Sequence, residues 1–161
     1  MSKIALITGA NGGIGSSITN ALVEAGYRVI ATYYPNGEAE AKEWLEGHDY
    51  SEEQVRLYPL DVTDTAHCEE SLATLLQEEG NIDVLVNNAG ITRDTTFKRM
   101  TAEQWNDVIT TNLNSLFNVT HPLFASMCEH GNSRIINISS VNGLKGQFGQ
   151  TNYSAAKAGM R

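Results

Sequence analysis

Tyr153 and Lys157 stand four positions apart in N-Y-S-A-A-K, a spacing that on a helix places a phenol and an ammonium side by side on one face. The cation favours the ionised phenol, and a phenol so placed can give its proton to an oxygen that is gaining charge. Reduction of a carbonyl group needs such a pair. The same chain carries Ser140 upstream, a Gly-rich turn near its start and a lone Asn112 between them.

The Gly-rich turn is T-G-A-N-G-G-I-G, with Gly9, Gly13 and Gly15 spaced G-x-x-x-G-x-G, and it departs from the commoner G-x-G-x-x-G dinucleotide fingerprint. Glycines after a strand let the chain turn tightly and bring backbone N–H groups and a helix N-terminus up to a pyrophosphate. The alternative is a plain strand-to-helix turn. N-N-A-G, ending in Asn88, Ala89 and Gly90, reads either as part of the same cleft or as a simple turn. The second strand ends A-T-Y-Y-P-N, so Tyr33 and Tyr34 stand where a carboxylate selects an unphosphorylated ribose and an Arg selects a 2′-phosphate. The missing acid favours NADP, while Glu38, Glu40 and the lack of an Arg keep NAD as the alternative. Asp61, beside Val62, either accepts from an adenine amino group or serves as a helix N-cap or loop acid.

These groups need a scaffold that brings them to one place. Apolar, β-branched runs at 4–8, 28–34, 54–60, 82–87 and 134–139 are bounded by Gly, Pro, Asn or Asp, as buried strands are. Between them, 14–25, 38–46, 66–79 and 102–128 space apolar residues as helices do, the last with a break near 112–115. Such alternation implies right-handed crossovers and a doubly wound α/β fold: one Rossmann-like domain with a parallel sheet and helices on both faces. Ligands of such sheets bind beyond the carboxyl ends of the strands, where the loops after all five runs converge.

The 161 residues suffice for a single domain with a real core, and 41% hydrophobic with 19% charged residues argues against disorder. A formal charge of −8 disfavours nucleic-acid and anionic-membrane partners. The start carries too short an apolar stretch for a signal peptide and no segment reaches the length of a membrane span, which points to the cytoplasm. Cys68 and Cys128 lack ligand or disulfide spacing, and His48, His67, His121 and His130 form no metal-binding pattern, so no metal is expected.

In this order, T-G-x-x-x-G-x-G, N-N-A-G, Asn112, Ser140 and Y-x-x-x-K resemble the short-chain dehydrogenase/reductase family, from Lys3 to Arg161. The segments N-A-G-I-T-R-D-T-T-F-K-R-M and I-N-I-S-S-V-N-G-L-K-G-Q-F-G-Q-T-N-Y-S-A-A-K-A-G resemble its acetoacetyl-CoA reductases of polyhydroxyalkanoate synthesis, with 3-oxoacyl-acyl carrier protein reductases as near neighbours. The resemblance implies an enzyme with Tyr153 as general acid, Lys157 on the nicotinamide ribose, Ser140 on the carbonyl oxygen and Asn112 retaining a water that relays protons to Lys157. It implies cofactor contacts from Gly9, Asn11, Gly13, Ile14, Gly15, Tyr33, Tyr34, Asp61, Val62, Asn88, Ala89, Gly90, Tyr153 and Lys157. For an acyl-CoA substrate it points to Asp94, Arg99, Gln147, Phe148 and Gln150, the last three having loop packing as their alternative role. Lys98, Arg99 and Lys145 form a local basic set suited to coenzyme A phosphates. Family members continue well past Arg161 and form homotetramers, so the resemblance also implies a domain lacking its C-terminal part. A non-catalytic dinucleotide-binding fragment is the alternative of a different class.

Overall fold

A computed structural model describes residues 3–161. Five strands form one sheet in the order β3-β2-β1-β4-β5: β1 (Ile4–Ile7), β2 (Arg28–Tyr33), β3 (Val55–Pro59), β4 (Val84–Asn87) and β5 (Arg134–Asn137). All neighbouring pairs are parallel, with Leu6 opposite Ile30 on one side and Leu85 on the other. The expected α/β sheet is present, its strands a residue or two shorter than the apolar runs.

Alternation along the strands divides the core in two. Leu6, Ile30 and Leu85 face α3 (Thr65–Glu79) and α5 (Ser115–His130), where they pack with Leu72, Leu75, Val119 and Leu123. Ala5, Ile7, Val29, Ala31 and Val86 face the opposite way, toward Ile18 and Leu22 of α1 (Gly13–Glu24) and Trp44 of α2 (Glu38–Glu46). Strands apolar on both faces can only be buried on both, which is why these runs are continuous rather than alternating.

The stretch expected as one interrupted helix is α4 (Ala102–Ile109) joined to α5 through a π-helical turn at Thr110–Asn114. The break near 112–115 is therefore a widened turn, not a loop. The extra residue rotates Asn112 inward, where its Nδ2 donates to Ile91 O at 2.9 Å and Val108 O at 2.8 Å. Beyond β5 the chain forms the short α6 (Asn142–Lys145) and then α7 (Thr151–Gly159), which carries Tyr153 and Lys157. The sheet edge at β5 is exposed along all four residues. Among the described residues no helix is long and apolar enough to cross a membrane.

Candidate active site

Sheet order reverses direction at β1, so the loops after β1 and β4 part and leave a crevice between them. There Gly9, Asn11, Gly13, Ile14, Gly15, Asn88, Ala89 and Gly90 line one cavity of about 480 Å³. Gly9 adopts φ +61°, and a Cβ on it would lie 3.2 Å from Ala89 Cα. Gly15 is the tighter constraint, because a Cβ there would meet Gly9 O at 2.3 Å and Ala10 O at 2.8 Å. The two loops are locked together by Thr8, whose Oγ1 accepts the Asn88 and Ala89 N–H groups at 3.0 Å each. Asn88 returns the connection by donating from Nδ2 to Thr8 O and Gly9 O, both at 3.0 Å.

This cradle fits a dinucleotide. The N-cap of α1 is Gly12, which has no side chain to cap it, so the N–H groups of the first turn, whose Gly13, Ile14 and Gly15 line the cavity, are free of side-chain acceptors. A Cβ at Gly13 would meet nothing within 4 Å, which leaves open the approach to that helix end. Tyr33 is buried at the end of β2, and burial, with the Glu38 carboxylate adding to it, pushes its phenol pKa up. Tyr34 is exposed. Glu38 pairs with Lys42 at 2.6 Å. Asp61 is a loop acid whose Oδ1 accepts Thr63 N–H at 2.9 Å and Thr63 Oγ1–H at 2.6 Å, and the N-cap of α3 is Asp64 instead. Val62 is buried, its carbonyl accepting from Asn118 Nδ2 at 3.0 Å.

The side chains of Asn112 and Lys157 meet at Gly90. A Cβ on that glycine would sit 2.5 Å from Asn112 Oδ1 and 3.7 Å from Lys157 Nζ, so Gly90 is the point at which both side chains converge. Asn112 is fully buried, and its Oδ1 has no partner among the described residues although its Nδ2 has two. Lys157 is 3% exposed and donates from Nζ to Ile138 O at 2.7 Å. Burial lowers its pKa. Nζ lies 5.7 Å from the centroid of the Tyr153 ring, the neighbour relation expected of the four-residue spacing.

Ser140 belongs to the turn that leads from β5 into α6, where its Oγ accepts Asn142 N–H at 3.2 Å and its own proton stays available. Two residues that the sequence reading passed over fasten this turn to α7. Ser139 Oγ donates to Lys157 O at 2.9 Å, and Gly143 packs so closely that a Cβ on it would lie 2.6 Å from Lys157 C. The doubled serine and the glycine three residues past Ser140 were the available signals, yet only the packing distinguishes them from ordinary loop residues.

Asp94 and Gln150 come together, with Gln150 Nε2 donating to Asp94 Oδ2 at 2.8 Å and Gln150 Oε1 accepting from Asn142 Nδ2 at 2.8 Å. Arg99, Gln147 and Phe148 are exposed, Phe148 at 87%. Lys98 and Arg99 close the short helical turn Phe97–Arg99, and Lys145 ends α6. Cys68 is buried, its thiol pushed up to about 12 by burial, and Cys128 is exposed; both are free. Among the described residues no group of His, Cys, Asp and Glu is arranged to hold a metal ion.

The chain is 54% identical over 158 residues to an acetoacetyl-CoA reductase of Acinetobacter sp. (strain RA3849), covering 98% of this chain and 64% of that protein. It is 51% identical over 159 residues to one of Shinella zoogloeoides, covering 99% and 64%, and 46% identical over 158 residues to a 3-oxoacyl-[acyl-carrier-protein] reductase of Vibrio harveyi, covering 98% and 63%. The chain thus spans a little under two thirds of the length of these curated relatives. A family model described as short chain dehydrogenase matches residues 3–161. With the Gly-rich turn, the parallel sheet and the Tyr153–Lys157 helix all lying inside that match, the chain belongs to the short-chain dehydrogenase family.

Proposed function

We propose that the polypeptide carrying this segment reduces 3-oxoacyl-CoA thioesters, acetoacetyl-CoA foremost, to 3-hydroxyacyl-CoA with NADPH. The observation that carries this reading is the convergence of Asn112 and Lys157 on Gly90, at the edge of a cradle suited to a dinucleotide and beside the Tyr153 ring. The names of the relatives above support the thioester.

The first turn of α1 and the glycines at 9, 13 and 15 would hold the pyrophosphate, and Lys157 the nicotinamide ribose. When bound, the cofactor supplies the hydride. Ser140 directs the ketone oxygen through its free hydroxyl proton, an interaction that strengthens as that oxygen gains charge. Tyr153 gives its proton to the same oxygen, and the nearby ammonium stabilises the phenolate that remains. The unpartnered Asn112 Oδ1 offers an acceptor for a water beside Lys157, through which the proton can be replaced. Exposed Phe117 and Phe124 on α5 offer an apolar face suited to assembly of the complete protein, which we take to be a homotetramer.

Initial rates with NADPH and NADH, on acetoacetyl-CoA and on the acyl carrier protein thioester, test the reading. The expected order is NADPH above NADH and the CoA ester above the carrier protein ester. Preference for the carrier protein ester would move the function to fatty-acid synthesis. Cofactor binding without turnover of either ester would reduce it to dinucleotide binding.

A further inference from the structure

Asn152, directly before Tyr153, is fully buried and joins three segments that are remote in sequence. The first main-chain bond of α7 is from Ser154 N–H to Gln150 O at 2.8 Å, and Gln150 gives no side-chain cap. Tyr153 N–H is therefore one of the donors that a helix start leaves without a main-chain partner. Asn152 Oδ1 accepts it at 2.8 Å. The nitrogen of the same amide donates to Arg93 O at 3.2 Å and to Gln104 O at 3.0 Å. Arg93 lies in the loop after β4, next to Asp94. Gln104 forms the capping box of α4 with Thr101, and α4 runs into the turn that presents Asn112.

A second set of bonds draws the same loop to the Ser140 turn. Thr95 N–H donates to Gly149 O at 2.9 Å, and the Asp94–Gln150–Asn142 chain ends at Asn142, whose N–H meets Ser140 Oγ. We propose that Asn152 is a positioning residue for the reduction. It fixes the backbone height of Tyr153 against the 91–95 loop and α4, so that the phenol, the Ser140 turn and the Asn112 segment keep one geometry. Few side chains can replace it. Asp would aim oxygen lone pairs at two carbonyls, and Ala would remove the donor that ties Arg93 O and Gln104 O to α7 and leave Tyr153 N–H without its acceptor. A displacement of the acid by about 1 Å is enough to cost roughly 100-fold in rate.

The kinetic part of the test rests on the reductase reading, and hydrogen exchange does not. In the full polypeptide, Asn152→Ala and Asn152→Asp are expected to lower kcat by about 10- to 100-fold. The dissociation constant and KM for NADPH should stay within about twofold, because the Gly-rich turn is untouched. A residue that only stabilised the fold would lower Tm and leave kcat per NADPH-binding site unchanged, and that result overturns the proposal. In parallel, amides of 91–95 and of 151–155 should exchange faster in both variants while those of β1 keep the wild-type rate. Unchanged exchange at 91–95 also overturns it. If the wild-type protein turns over no 3-oxoacyl thioester, the reductase reading fails and exchange alone decides whether Asn152 couples the two segments. Should neither variant fold, Asn152→Ser keeps a donor and an acceptor in a smaller side chain; an intermediate kcat supports the proposal, and a wild-type kcat rejects it.

Discussion

At the scale of single residues, Lys157 holds its ammonium almost wholly out of bulk solvent, at 3% exposed. Burial lowers the Lys157 pKa from its ordinary value of 10.5, so the folded chain binds that proton less tightly than the unfolded chain does. Below the lowered value both states hold the proton, and the buried charge reduces stability in full. Stability recovers as pH rises from the lowered value to 10.5, above which both states are neutral. Lys157→Met is therefore expected to unfold a few degrees higher than wild type at neutral pH, with the gap closing toward pH 10.5, while losing reductase activity. Thermal melts of both proteins across that range check this, and a gap that does not change with pH rejects burial of charge as its source. For Tyr153→Phe the expectation is a kcat lower by roughly 10² to 10⁴, with NADPH binding unchanged by fluorescence titration. A near-normal kcat would remove Tyr153 as the acid.

At the scale of elements, close packing decides which substitutions are tolerated. Gly15→Ala puts a Cβ against two backbone carbonyls of the preceding turn, which cannot move without spoiling the cradle. NADPH affinity should fall at least about tenfold, equivalent to about 1.4 kcal/mol, as titration would reveal; wild-type affinity would show the turn to be more pliable than its geometry implies. On the opposite end of the sheet, Glu79 at the end of α3 binds Arg28 of β2 and, at 2.6 Å, Arg56 of β3, with its own side chain only 6% exposed. Glu79→Ala leaves Arg28 without its carboxylate and Arg56 with Glu78 alone, and should cost about 1–2 kcal/mol, or a Tm lower by roughly 2–8 °C for a domain of this size. Because this network lies away from the crevice, KM for NADPH should stay as in wild type. A loss of affinity equal to that of the Gly15 variant would contradict the separation.

At the scale of the whole molecule, a formal charge of −8 repels a polyanionic ligand everywhere except near local clusters of basic residues. Lys98, Arg99 and Lys145 are exposed on the segments flanking the Asp94–Gln150 contact, a placement that suits the phosphates of coenzyme A. Reversing all three to Glu should raise KM for acetoacetyl-CoA by about three- to tenfold. The effect should weaken as salt is added and be absent for a pantetheine thioester that lacks the nucleotide. Equal changes for both esters would assign these residues to general packing.

The parallel sheet, its strand number and the placement of the Gly-rich turn were legible because both-face burial and chain reversal leave strong local patterns of β-branched runs and glycines. Tyr153 and Lys157 were legible because helical periodicity alone makes them neighbours. By itself the sequence did not disclose the widened turn that brings Asn112 inside, since local propensity does not distinguish a π-helical turn from a loop at N-L-N-S. Nor did it single out Thr8, Ser139, Gly143 or Asn152. Each acts through partners between 18 and 81 residues away, or through a backbone approach, and such contacts exist only once the chain has closed on itself. Residue types and their spacing therefore determined which chemistry this protein holds, and tertiary packing decided which side chains keep it in register, because hydrogen-bond geometry between distant segments is a property of the folded whole.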